Sequence, residues 1–147
     1  MNSTTVRLDK KELVVPFVRI DVAEGKSPEK LTAIGDGVHA ALIDAIGIPK
    51  DDRFQVINVV PSARLIYDRA FFDINRSDAT IFVQITLRPG RTEDQKRKLY
   101  HLIATQLWRK AKVRAEDVFI TLVEIPGENW SFGGGIAQYA PSVKPES

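Results

Sequence analysis

The chain has 147 residues, of which 44% are hydrophobic, and its 21 basic and 19 acidic residues leave a net charge of +2. This length and composition predict one domain with its own hydrophobic core. The small net charge favours neither nucleic acid nor a membrane as a partner, and no apolar run is long enough to span a bilayer. The absence of cysteine excludes disulfides and thiolate chemistry, so we expect a cytoplasmic protein.

The first half of the chain has the pattern of a strand, a helix and a second strand. Alternating apolar residues predict strands over residues 16–23 and 54–60. Between them, apolar residues three and four positions apart predict a helix that ends near Ala45. Ser27 is a suitable N-cap for this helix, and Pro28 suits its first turn.

The second half of the chain repeats this pattern. Strands are predicted over residues 80–87 and 118–125, on either side of a helix that ends near Lys110. Thr92 and Gln95 have the spacing of a capping box at the start of that helix.

The two halves align when the sequence is shifted by 65 residues without gaps. Each half is a βαβ unit, so we predict an α/β (α+β) fold in which a four-stranded mixed sheet carries both helices on one face. The aligned pairs include Asp52 with Asp117, Phe54 with Phe119 and Pro61 with Pro126.

The predicted segments, in chain order, are an amino-terminal extension over 1–15, one domain over 16–140 with halves at about 16–61 and 80–126, and a loose tail over 141–147. Residues 62–79 connect the halves, and a short strand is predicted near residues 65–67. Nothing in the composition of these segments indicates a second domain.

The sheet face opposite the helices has no predicted cover. By alternation it would carry a mixture of apolar and polar side chains, and such a face rarely stays exposed to water. We therefore expect this face to form a subunit interface. The residues expected on it are Phe17, Ile57, Phe82 and Leu122 together with Arg19, Asp21, Gln84 and Thr86.

Charged residues are most informative where the two halves differ. Arg88 and Arg91 flank a Pro-Gly turn, and Arg53 opens a strand where the second half has Val118. Guanidinium groups form paired hydrogen bonds with carboxylates, so these arginines predict a small carboxylate substrate. The alternative is that each arginine is a solvated loop charge.

Two large aromatic residues, Trp130 and Phe132, precede a run of three glycines. They are candidates for the wall of a ligand pocket or for a subunit interface, and the two roles are compatible. His39 and His101 lie within the predicted helices with no cysteine or carboxylate cluster at ligand spacing beside them. No metal site is therefore predicted.

Four motifs together resemble the tautomerase superfamily, and its malonate semialdehyde decarboxylase branch in particular. They are Pro16-Phe17-Val18-Arg19-Ile20-Asp21, Asp51-Asp52-Arg53-Phe54-Gln55, Gly90-Arg91-Thr92-x-x-Gln95-Lys96 and Asn129-Trp130-Ser131-Phe132-Gly133. The resemblance implies a βαβ-βαβ protomer, a homotrimer, no cofactor and catalysis by an amino-terminal proline. The implied activity is that of a tautomerase or decarboxylase acting on a small oxo acid or its enol.

The resemblance also assigns roles to individual residues. The second arginine of the family stands one residue earlier than Arg91, and the family has phenylalanine at the position of Tyr139. The implied roles are catalytic proline for Pro16, acidic residue for Asp52, first substrate-binding arginine for Arg88, and hydrophobic wall for Trp130, Phe132 and Tyr139.

Pro16 is internal in the sequence, whereas the resemblance implies a terminal proline. An internal proline nitrogen is an amide with no basicity, so we expect activity only from a chain that begins at Pro16. A GUG start codon at the position of Val15, which encodes valine within a gene, would give such a chain after removal of the initiator methionine. The alternative is a catalytically inactive trimeric binding protein with the same fold.

Overall fold

The computed structural model describes residues 15–139. The predicted tail, and the predicted extension apart from Val15, lie outside these residues. The two helices and four strands agree with the sequence prediction to within one or two residues at each end. In chain order they are β1 (Phe17–Ala23), α1 (Pro28–Ile46), β2 (Phe54–Val60), β3 (Ile81–Leu87), α2 (Glu93–Ala111) and β4 (Val118–Glu124).

The strand order is β2-β1-β3-β4. The pairs β1–β2 and β3–β4 are parallel, whereas β1 and β3 are antiparallel. The predicted mixed sheet is therefore confirmed. Because of this pairing, β1 and β2 begin at the end of the sheet where β3 and β4 finish. We call this end of the sheet the site end. Each helix has 19 residues, and α2 begins 65 residues after α1, in agreement with the repeat.

Both helices begin at the caps that the sequence predicts. The Ser27 hydroxyl accepts a hydrogen bond from the Lys30 amide at 3.1 Å. Thr92 and Gln95 form a reciprocal capping box, with bonds of 2.9 and 3.1 Å. Such caps stabilise a helix by about 1 kcal/mol each. The first helix ends at Gly47, whose φ of +69° suits glycine.

The core lies between the helices and one face of the sheet. Neither helix within residues 15–139 is long and apolar enough to cross a membrane. The largest fully buried side chains come from both halves, which makes one continuous core. They are Val18, Ile20, Val22, Ile34, Val38, Leu42, Ile81, Ile85, Leu87, Leu99, Ile103 and Leu107.

The prediction that Ile57 and Leu122 lie on the uncovered face is wrong. Ile57 pairs with buried Ile20, and Leu122 pairs with buried Ile85. Paired residues on neighbouring strands point to the same face, so both side chains pack towards the helices. The opposite face carries other apolar residues of β2 and β4 together with those predicted on β1 and β3, namely Phe17, Phe54, Val56, Phe82 and Phe119.

The prediction of a short strand near residues 65–67 is also wrong. Residues 62–64 form a 3-10 turn, and no described strand pairs with the segment that follows. Side chains hold this segment instead of a ladder of backbone hydrogen bonds. The Tyr67 ring packs against Phe82 at 5.8 Å, and the Tyr67 hydroxyl donates to the Ser77 carbonyl at 2.6 Å.

A buried carboxylate fixes the end of the connector to the start of β4. Asp117 is 1% exposed and accepts hydrogen bonds from the Ser77 amide and hydroxyl at 2.7 and 2.6 Å and from the Thr80 hydroxyl at 3.1 Å. Arg114 lies 3.6 Å away. Burial favours a higher pKa for Asp117, but the hydrogen bonds and Arg114 outweigh it, so its pKa lies below the ordinary value.

Replacing this carboxylate is expected to destabilise the fold. We predict that Asp117→Asn lowers the free energy of unfolding at pH 7 by about 2–4 kcal/mol, because buried donors lose a charged acceptor. A lowered carboxyl pKa stabilises the fold above the unfolded pKa of about 3.9, and this stabilisation disappears as pH falls further. Urea unfolding at pH 7 and pH 3 tests both points. An equal loss of unfolding free energy at the two pH values would show that the charge of Asp117 does not contribute to stability.

Candidate active site

The topology brings the predicted site residues to the site end of the sheet. Pro16 immediately precedes β1, and Asp52 lies two residues before β2. Arg88 immediately follows β3, which is antiparallel to β1, and the segment after β4 leaves from the same end. Residues that are far apart in sequence therefore lie around one end of the sheet.

Asp52 lies beside the backbone that leads into β1. Its Oδ2 accepts a hydrogen bond from the Val15 amide at 3.1 Å, whereas its Oδ1 is buried with no partner. Burial raises the pKa of Asp52. The Val15 hydrogen bond and nearby His39 oppose this increase, and neighbouring Asp51 adds to it. A carboxyl group with a raised pKa at the start of two strands is a candidate for proton transfer or substrate binding.

His39 positions the loop that carries Asp52. It is 7% exposed on α1, and its Nε2 lies 2.7 Å from the Lys50 carbonyl oxygen. Since a carbonyl only accepts hydrogen bonds, Nε2 must carry a proton. His39 was considered above only as a metal ligand, and its support of this loop was not predicted from the sequence. The available signal was a polar residue within the apolar stripe of a helix.

Val15 adopts a strained backbone conformation just before Pro16. Its φ is +42°, a region that β-branched residues very rarely occupy. Strain of this kind costs about 1–3 kcal/mol and persists only where the surroundings enforce it. Here the chain enters β1 through Pro16, which is buried, while the Val15 amide is held by Asp52.

Arg88 is positioned by Tyr139. The guanidinium carbon lies 4.1 Å from the centre of the Tyr139 ring. Burial raises the pKa of Tyr139, Arg88 opposes this increase, and Asp52 adds to it. Gly127 permits this packing, because a Cβ there would lie 2.9 Å from the Tyr139 Cβ. Both Arg88 and Asp52 are therefore close enough to act on the Tyr139 phenol.

The predicted aromatic wall continues from Tyr139. Its ring contacts Phe132 at 5.1 Å, and Phe132 contacts Trp130 at 5.3 Å. The Trp130 Nε1 is buried with no hydrogen-bond partner. Beside these rings is an open cavity of about 350 Å³, which is large enough for a small organic acid. It is lined by Val15, Phe17, Phe54, Asn129, Trp130, Ser131 and Phe132.

Two predicted site arginines have other surroundings. Arg53 forms an ion pair of 2.8 Å with Asp36 on α1 and hydrogen bonds to Gln55. Arg91 has no hydrogen bond or ion pair with any side chain or backbone group in residues 15–139. Arg53 and Arg91 do not line the cavity, and neither do Pro16, Asp52, Arg88 and Tyr139. The predicted roles of all six residues therefore stay predictions.

The second half of the repeat has a similar cavity without the same chemistry. A space of about 250 Å³ at the opposite end of the sheet is lined by Ile66, Tyr67, Phe82 and Phe119 among others. These residues lie 65 positions from Ser131, Phe132, Phe17 and Phe54, which line the first cavity. Ile81 stands at the position equivalent to Pro16. Both carboxyl oxygens of Asp117 accept hydrogen bonds, whereas Asp52 Oδ1 has no partner. Of these two equivalent carboxylates, Asp52 is therefore the one with an unsatisfied oxygen, and it bonds to the residue that precedes Pro16.

This difference predicts opposite effects of the same substitution on stability. A raised carboxyl pKa means that the ionised form destabilises the fold as pH rises above about 3.9. We therefore expect Asp52→Asn to raise the free energy of unfolding at pH 7 by up to about 1 kcal/mol, since solvent screens part of the penalty. Urea unfolding measures it, with Asp117→Asn as the matched control. Destabilisation of both variants would show that Asp52 is a structural residue.

Comparison with known proteins gives the family. Two family models described as "Tautomerase enzyme" match residues 52–133 and 16–67. The chain is 39% identical over 124 residues to the Bacillus subtilis (strain 168) protein named Probable tautomerase YusQ, which covers 84% of this chain and 98% of that protein. The second of these family models begins its match at Pro16.

Solved structures agree with this match. Two crystal structures of malonate semialdehyde decarboxylase, 29% and 34% identical, each have a TM-score of 0.79 and cover 84% of this chain and 95% and 93% of theirs. A fused 4-OT trimer at 20% identity shares the fold with a TM-score of 0.68, over 82% of this chain and 94% of its own. The resemblance drawn from the four motifs is confirmed, and the chain belongs to the tautomerase family.

Proposed function

We propose that this protein is a cofactor-independent tautomerase or decarboxylase of a small oxo acid, and that its catalytic group is the amine of Pro16 in a chain that begins there. One observation supports this most directly. The Asp52 carboxylate, raised in pKa, bonds to the backbone nitrogen adjacent to that of Pro16. An amine at Pro16 would lie next to a carboxylate that is ready to pair with it.

The Pro16 amine would have a useful pKa. A free α-amino group has a pKa of about 7.7–8.0, so both protonation states are populated near neutral pH. Burial of Pro16 favours the neutral amine, while Asp52 favours the ammonium. The neutral amine can remove a proton from carbon in tautomerisation, and the ammonium can polarise a substrate carbonyl.

Arg88 would hold the substrate carboxylate. Its guanidinium is fixed by Tyr139 at the same end of the sheet, and planar guanidinium groups bind carboxylates through paired hydrogen bonds. In decarboxylation of a 3-oxo acid, the bond between C2 and the carboxyl carbon breaks and CO2 leaves. The electron pair of that bond passes to the carbonyl polarised by Pro16, which gives an enolate. The enolate then takes a proton. The rings of Trp130 and Phe132 would exclude water from the site.

The full-length chain suggests a second function. With Pro16 as an amide, the Val15 amide already occupies Asp52 Oδ2, and no basic nitrogen is present at Pro16. This contact favours a non-catalytic protein that binds small carboxylates. The strain at Val15 and the family match that begins at Pro16 favour the catalytic proposal, which is the one we adopt.

The catalytic proposal predicts activity from one specific chain. Every core residue lies between Val18 and Leu122, so a chain that begins at Pro16 keeps the folding unit. We expect it to catalyse phenylpyruvate enol–keto exchange or malonate semialdehyde turnover at least about 10²-fold faster than the full chain, because only it has the amine. The turnover rate of the short chain should fall by a similar factor in a Pro16→Ala variant.

The matched control is a chain that begins at Val15. It differs by one residue and places a primary amine beside Asp52, while its Pro16 nitrogen is an amide. It therefore tests whether catalysis needs the secondary amine of Pro16 itself, and we expect it to be inactive. Equal turnover by the Pro16 and Val15 chains, or by Pro16→Ala, would contradict the proposal. Binding of small carboxylates by both chains without turnover would support the non-catalytic function instead.

We also propose that the protein is a homotrimer assembled through the sheet face opposite the helices. That face exposes Phe119 at 44%, and a trimer is found among the structural neighbours. Light scattering should give three times the protomer mass at micromolar concentration. Phe119→Lys should shift the mass towards the monomer, whereas Trp108→Lys, on exposed α2, should not. A stable wild-type monomer would contradict this assembly.

A further inference from the structure

Two polar atoms stand out within residues 15–139. Among buried side-chain nitrogen and oxygen atoms of that range, Asp52 Oδ1 and Trp130 Nε1 are the two without a hydrogen-bond partner. Native proteins pair nearly all such atoms, because a buried polar atom without a partner is unfavourable. Both of these atoms belong to the candidate site, and they have opposite character. The carboxylate oxygen accepts hydrogen bonds, whereas the indole N–H only donates.

Val15 connects the two atoms. It lines the 350 Å³ cavity together with Trp130, and its amide bonds to Asp52 at Oδ2 rather than Oδ1. A chain that begins at Pro16 lacks Val15 and opens this side of the cavity. The Pro16 amine would then take the place of the Val15 amide at Oδ2, so Oδ1 would still need a donor and Trp130 an acceptor.

These needs define the ligand. A carboxylate offers only acceptors, so it suits Trp130 Nε1 but repels the Asp52 carboxylate. A hydroxyl group offers the donor that Oδ1 lacks. A plain oxo acid has no hydroxyl, whereas its enol and its hydrate, in which water has added across the carbonyl, carry one beside the carboxylate. Only these two forms satisfy both atoms.

We propose that Trp130 is a hydrogen-bond donor to the ligand and that the site selects the hydroxylated form of a small oxo acid. The ligand hydroxyl donates to Asp52 Oδ1, and the indole N–H donates to a ligand carboxylate oxygen. This rests on the proposed function for the kind of substrate, and it gives Trp130 a polar role in addition to its contact with Phe132.

The chain offers an internal control because it has two tryptophans. Trp108 is 51% exposed on α2 and does not line the site cavity. In ¹⁵N-labelled protein that begins at Pro16, titration with 3-hydroxypropionate should move the Trp130 indole proton downfield, as formation of a hydrogen bond does. The Trp108 proton should stay in place. A Trp130→Phe variant assigns the two signals.

Affinity measurements test the role of the ligand hydroxyl. We expect 3-hydroxypropionate to bind about tenfold more tightly than propionate, because its hydroxyl adds a hydrogen bond to a charged acceptor. Asp52→Ala should remove this preference, whereas Trp130→Phe should weaken both acids by a similar factor and leave the preference intact.

Two results would overturn the inference. One is a Trp130 indole signal that stays in place when 3-hydroxypropionate saturates the protein. The other is equal affinity for 3-hydroxypropionate and propionate in the wild-type sequence. None of these measurements needs turnover, so the inference can fail while catalysis by Pro16 stands. It can also hold in a chain that proves inactive.

Discussion

The pairing of β1 with its two neighbours determines where three of the candidate site residues lie. Phe17 pairs with Phe54 on one side and with Thr86 on the other. Because β2 is parallel and β3 is antiparallel to β1, the start of β1 meets the start of β2 and the end of β3. Pro16, Asp52 and Arg88 are adjacent to these three strand ends, so the register that builds the core also assembles the site.

The two halves of the repeat place equivalent carboxyl groups in different surroundings. Asp52 and Asp117 are equivalent in the repeat, yet burial has different results at the two positions. Asp117 receives three hydrogen bonds and has a lowered pKa, whereas Asp52 has an unpaired oxygen and a raised pKa. Proteins commonly tolerate such a local penalty at functional sites, where the unsatisfied group is needed by a ligand.

Local sequence signals predicted most of the fold. Ser27 and Thr92 mark both helix starts because caps act through nearby backbone groups. The faces of Ile57 and Leu122 depend on register with another strand, so alternation within β2 or β4 alone could not assign them. The segment near Tyr67 looks extended in sequence, but its contact with Phe82 is tertiary and leaves no local signal.

The candidate site was also predictable only in part, because its contacts are mostly tertiary. Residue identity pointed to Pro16, Asp52 and Trp130, because their motifs resemble a family. The resemblance did not indicate that Asp52 bonds to the Val15 amide, that His39 supports its loop, or that Tyr139 stacks on Arg88. Each of these contacts joins segments that are distant in sequence or depends on side-chain packing.

The account depends on the chemical state of the Pro16 nitrogen. An amide in this position has no lone pair for proton transfer, whereas an amine beside Asp52 has both basicity and a partner. The intact mass of the protein purified from its native source distinguishes the two states most directly. We expect a species that begins at Pro16. A sample in which every molecule retains residues 1–15 would contradict catalysis by this amine.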